Sequence, residues 1–162
     1  MLQKVLSIKS SHRTWPEQAV GCAIFFLISF AFQIFTGWLV ENSSQTHQLF
    51  SLHWVPIWIS YHFLIAFSMW NLWRRHSLAM LKLELSVFFS QFILQISWAM
   101  SFYIFRETLL ALVLLLFLSC NTILAILLYW KKERFSGQAL IPPFCWIFYM
   151  VIANMAICVS NP

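Results

Sequence analysis

Charge is scarce in this chain. Only 9% of its 162 residues are Asp, Glu, Lys or Arg, where a soluble domain averages about 25%. That leaves too little polar surface to coat a water-facing globule. Glycine is rarer still, with three in the whole chain, so close GxxxG contacts are not the main way its helices associate. The four cysteines, Cys22, Cys120, Cys145 and Cys158, make no CxxC pair and have no histidine at zinc spacing. They read as buried thiols acting as small hydrophobes, and no metal ligand is nominated. Paired carboxylates, a Ser–His–Asp set and a glycine-rich phosphate loop are also missing, so no catalytic residue is nominated.

Hydrophobic residues fill the space, at 61% of the chain. A helix that crosses a bilayer needs about 20 mainly apolar residues. Five such stretches stand near 20–40, 54–73, 85–105, 109–130 and 139–159. They use most of residues 1–162, which predicts one all-α domain, an integral membrane bundle of five transmembrane helices. Membrane β-strands would alternate apolar and polar residues, and "LLALVLLLFL" does not. The first apolar run is longer than a signal h-region and is followed by no small-residue cleavage site, so it is expected to be retained.

Nine of the ten Lys and Arg fall before helix one, between helices two and three, or between helices four and five. These segments share one side of a five-pass chain, which predicts a cytoplasmic N-terminus and a C-terminus on the opposite side. The formal net charge of +5 is then a topology signal. Nucleic acid is not expected as a partner, because the charge is divided among short loops. Thr14 reads as a cap for helix one, with Pro16 in its first turn and Glu17 at the positive end of the dipole. "ENSSQTHQ" makes an outer loop, "FRE" a tight turn between antiparallel neighbours, and Gly137 a breaker in the last inner loop. Pro142 and Pro143 open helix five, where missing N–H donors cost least.

Polar and aromatic residues recur on helical faces. Phe88, Gln91, Gln95, Trp98 and Phe102 are spaced 3, 4, 3 and 4 apart, one stripe at about 100° per residue. Two mid-span glutamines must face protein or a cavity. Spacing alone leaves interhelical glue and a pocket wall both open. Trp58, His62, Ala66, Met69 and Trp73 form a second stripe, in which His62 is either a structural hydrogen-bonding group or a ligand contact. As the lone histidine inside a span, it cannot provide bis-His haem ligation. Helix five offers Trp146 and Asn154, and helix four a cluster, Ser119 to Thr122, that reads as packing glue. Glu84 is expected to pair beside Lys82 at the inner end of helix three. Nine tryptophans and seventeen phenylalanines exceed what interfacial belts need. Trp58, Trp98 and Trp146 lie inside spans, and flat indole walls with a few amides suit a flat, conjugated, mostly apolar guest.

These stripes carry a resemblance. "PIWISYHFLIAFSMWNLWR", with Pro56, Trp58, Trp70 and Trp73, then Gln91, Gln95, Trp98, Phe102 and Tyr103, then Pro142, Trp146, Asn154 and Asn161, occur in the order seen in the TspO/MBR family. These are the tryptophan-rich sensory proteins and the translocator protein, or peripheral benzodiazepine receptor. The likeness spans residues 15–161. It implies a five-helix bundle with a pocket under the first loop, and a receptor or transport role with porphyrins and other tetrapyrroles as ligands. Trp58, Gln95, Trp98 and Trp146 would line that pocket, with His62, Gln91, Met150, Ala153 and Asn154 nearby. No cofactor is required, a porphyrin or haem-like molecule being the ligand; the bilayer is the other partner, and a homodimer is a family trait. The chain departs from the family pattern in having no tandem prolines in the first loop. His62 stands for a usual tyrosine, Gln95 for asparagine, Ala66 for glycine and Pro143 for tyrosine. The late Tyr-then-Lys/Arg pattern of sterol-binding members is absent. Two other readings stay open: oxidative or light-driven degradation of a bound porphyrin, and a non-catalytic assembly subunit in which amides and indoles only pack.

Overall fold

A computed structural model describes residues 14–41 and 55–160. The N-terminal tail, most of the expected outer loop, Trp54 and Asn161 lie outside the described residues. Helix α1 runs Trp15–Glu41, α2 Val55–Arg75, α3 Lys82–Ala99, α4 Thr108–Lys132, α5 Arg134–Gln138 and α6 Ile141–Ser160. A 3₁₀ turn, Leu78–Met80, precedes α3, and a π turn, Met100–Ile104, extends it. Helix α1 packs on α2, α3 on α4, and α4 on α6. No strand occurs among the described residues.

Local chemistry explains where the helices begin and end. Helix α1 starts before its apolar run because the Thr14 amide donates to Glu17 Oε2 at 2.8 Å, half of a capping box. The α3–α4 connection is the expected tight turn. Arg106 sits at φ 60°, and the Glu107 amide donates back to the Ser101 carbonyl at 3.0 Å, closing the end of α3. Pro142 and Pro143 fall in the first turn of α6, as their missing donors require.

The outer surface is apolar. Leu27 and Ile34 of α1, Leu109, Phe117 and Leu127 of α4, and Ile152 and Val159 of α6 are all exposed. Only a hydrocarbon solvent makes such a surface stable. Four stretches, Trp15–Leu39, Lys82–Ile104, Thr108–Lys132 and Arg134–Ser160, are long and apolar enough to cross a membrane by themselves. Helix α2 is long enough but less apolar, because it carries His62, Ser68 and Asn71, all buried against protein.

The basic ends of α2, α3 and α4 meet. Arg75 Nη1 lies 2.7 Å from Glu133 Oε2, and Lys132 Nζ lies 2.8 Å from Glu84 Oε1 and also donates to the Met80 carbonyl. Glu84 therefore pairs across to α4 and not with Lys82, which is exposed. Residues two apart on a helix do not face each other. The cysteines also differ from expectation: Cys120 and Cys145 are exposed, and Cys22 and Cys158 are half-buried. Facing lipid costs a thiol little, so burial was not needed.

Gly137 is no breaker either. It lies inside α5, where an added Cβ would stand 2.9 Å from the Trp130 backbone N and Cα. Its missing side chain lets α5 close on the end of α4, while Ser136 accepts a 2.8 Å bond from Asn71 Nδ2 of α2. Gly37, by contrast, has nothing within 4 Å of an added Cβ. Gly137→Ala should lower unfolding stability in detergent by about 1–3 kcal/mol through overpacking. Gly37→Ala should leave it unchanged or raise it by up to about 1 kcal/mol; equal midpoints for the two variants would refute the close approach.

Candidate ligand site

The α3 stripe faces inward along its whole length: Phe88, Gln91, Gln95, Trp98 and Phe102 are all buried. On α2, Trp58, His62, Ala66 and Met69 are buried and Trp73 is half-buried. On α6, Met150 and Asn154 are buried one and two turns beyond half-buried Trp146, with Ala153 half-buried at their flank. Helical period alone produces this, since residues three or four apart share a face.

Three helices bring their indoles together. Trp58 and Trp98 are nearly parallel, with ring centroids 6.1 Å apart and planes at 20°. Trp146 meets Trp58 edge-on at 5.7 Å and 87°. Tyr61 packs on Trp58 at 5.7 Å, Tyr103 on Trp98 at 6.1 Å, and Tyr149 stacks on Trp146 at 5.3 Å. These separations are those of direct aromatic contact. Direct contact leaves no gap for a planar guest between Trp58 and Trp98.

Two polar networks run beside the indoles. In the first, Gln91 Nε2 donates to Tyr61 Oη at 3.1 Å and Thr122 Oγ1 at 2.9 Å, and its Oε1 accepts from Asn121 Nδ2 at 3.1 Å. Asn121 also bonds Ser90 and the Val87 carbonyl. Gln91 is thus fully engaged in joining α2, α3 and α4. The helix-four cluster is glue at Asn121 and Thr122, whereas Ser119 bonds only its own helix. In the second network, Gln95 Nε2 lies 3.1 Å from His62 Nε2, and Ser29 Oγ lies 3.3 Å from His62 Nδ1 and donates to the His62 carbonyl at 3.0 Å. The directions agree only if His62 is neutral with its proton on Nδ1: the imidazole accepts from Gln95 and donates to Ser29.

Gln95 keeps something in reserve. Its buried Oε1 has no hydrogen-bond partner among the described residues, and neither has the buried Nδ2 of Asn154. Asn154 Oδ1 accepts a 3.6 Å contact from Cys158 Sγ. One acceptor and one donor are therefore unsatisfied in a region where each such group costs about 1–3 kcal/mol.

Residues 18–159 match the model of the TspO/MBR family, nearly the whole chain. The chain belongs to the TspO/MBR family. No curated protein matches it. As a TspO/MBR protein it is an integral membrane helical bundle with a receptor- or transporter-like role.

Some residues of this TspO/MBR site escaped the sequence reading. Ser29 carries no pattern, being one hydroxyl in the run "FFLISFAF". Tyr61 was detectable, since it lies three residues beyond Trp58 on the same face. Tyr149, exposed at 41%, was not singled out from the sequence, although it stands three residues beyond Trp146 on α6.

Gln91→Leu should destabilise the bundle by about 1–3 kcal/mol, because Tyr61, Thr122 and Asn121 lose a shared partner at membrane depth. Thermal unfolding in detergent checks this, and an unshifted midpoint would show that the network contributes nothing.

Proposed function

We propose that this protein binds a flat, porphyrin-type ligand against the indole cluster within the bundle. The convergence of Trp58, Trp98 and Trp146 from three helices is the observation that carries the reading. Indole faces match a conjugated macrocycle in shape and polarizability. The open Oε1 of Gln95 suits a ligand N–H or carboxylic O–H, and the open Nδ2 of Asn154 suits a carboxylate. Met150 and Ala153 add apolar contact on the α6 side. Gln91 supports the wall through Tyr61 and does not offer its own amide.

The state of His62 separates two ligand types. Both ring nitrogens already have hydrogen bonds, so axial ligation of a haem iron through the unprotonated Nε2 would break the one from Gln95. A metal-free tetrapyrrole leaves both intact. The basic ends of α2 to α5 support placing that side, with the N-terminus, in the cytoplasm and the C-terminus opposite.

Titration with protoporphyrin IX in detergent tests the reading. Saturable quenching of tryptophan fluorescence is expected, with Trp146→Ala weakening affinity about tenfold, or ~1.4 kcal/mol. Gln95→Leu should weaken it less, since one hydrogen bond is worth roughly 1 kcal/mol. Quenching that never saturates, or is unaltered in the Trp58→Ala, Trp98→Ala and Trp146→Ala variants, would leave the indoles as packing alone.

A further inference from the structure

A concavity lies away from the indole cluster, on the outer face where the start of α1 meets the end of α2. It is a groove of about 590 Å³ with Trp15 and Trp70 as walls, small residues Ala19 and Ala23 along its floor, Phe26 at its far end and Arg74 at its mouth. Trp15 to Phe26 spans 11 helical steps, about 16 Å. That is the depth of one leaflet of the hydrocarbon core, roughly half of 30 Å.

The mouth is built for an anion. The Arg74 guanidinium lies 5.1 Å over the Trp70 ring, and that ring is fixed by a 3.0 Å bond from its Nε1 to the Gln18 carbonyl. Arg74 Nη2 donates to the neutral Asn71 Oδ1 at 3.0 Å. The two ion pairs among the described residues use Arg75 and Lys132, so no carboxylate neutralises Arg74. Glu17, the acid of the adjacent α1 turn, accepts from the Thr14 amide and does not line the groove.

We propose that this groove holds one anionic glycerophospholipid of the surrounding leaflet, its phosphate on Arg74 and an acyl chain along Ala19, Ala23 and Phe26. A guanidinium held by cation–π contact keeps its remaining N–H groups pointed for paired phosphate bonds. Small residues spaced four apart leave the channel that a chain fills, and the exposed Trp15 indole belongs at headgroup level. A free anion would have no use for the apolar length of the groove.

Native mass spectrometry of the full chain in detergent, titrated with dioleoylphosphatidylglycerol, tests this. One lipid should be retained saturably by the wild type. Arg74→Gln should lower its affinity about tenfold, and Ala23→Phe, which fills the groove but keeps the charge, should lower it comparably. Arg75→Gln removes the same charge one residue away and should stay within about twofold. Dioleoylphosphatidylcholine should bind more weakly, and millimolar inorganic phosphate should not displace the lipid. Unchanged retention in Arg74→Gln, equal loss in Arg75→Gln, equal binding of both lipids, or displacement by phosphate would each overturn the proposal. None of these readouts depends on porphyrin binding.

Discussion

A polar side chain at membrane depth has no water to bond, so its partner must come from another helix or its own backbone. That constraint organises this bundle more than apolar burial does, because hydrocarbon is as good a neighbour for leucine as another leucine is. The helices are registered where Gln91 meets Tyr61, Thr122 and Asn121, and where His62 bridges Ser29 and Gln95. Sliding α3 by one residue would turn both amides away from these partners and toward lipid. The indole cluster inherits its geometry from the same register, since Trp98 stands three residues beyond Gln95 and Trp58 four before His62.

The architecture was legible because bilayer thickness and helical period are both written in one dimension. Run length marked five helices, and the stripes on α2, α3 and α6 marked their inward faces, with Trp73, Trp146 and Ala153 only half-buried. Legibility stopped where a claim needed two helices at once. Whether Gln91 was glue or pocket wall depends on what α2 and α4 present at its height, and spacing along α3 holds no such information. Glu84 was paired with the nearest cation in sequence, when the helix points it across to Lys132. Gly137 was read from composition as a break, although its role comes from the Trp130 backbone it lies against.

Both ends of the bundle show electrostatics divided by function. At the basic end, Arg75 and Lys132 are neutralised by Glu133 and Glu84 and hold α2, α3 and α4 together. Arg74, one residue from Arg75, turns to the other side of α2 and lies on an indole instead. Adjacent residues on a helix point about 100° apart, so one arginine pair serves both the exposed ion pair with Glu133 and the groove on the outer face. The opposite end carries Arg106 in the turn between α3 and α4, next to Glu107.

His62 and Gln95, two of the four substitutions by which the chain departs from the pattern it resembles, are in contact. An imidazole at position 62 is shorter than the phenol that the resemblance implies there, and it presents a ring nitrogen in place of a hydroxyl. A glutamine at 95 is longer by one methylene than the asparagine that the resemblance implies there, and it reaches that nitrogen at 3.1 Å. Either change alone would strand a polar atom at membrane depth: the imidazole would lack its donor, or the longer amide would lack its acceptor. Together they keep α2 and α3 joined while leaving the glutamine carbonyl unengaged beside the indoles. The pair thus joins α2 and α3 about one turn from the contact of Trp58 with Trp98, so the same register holds both.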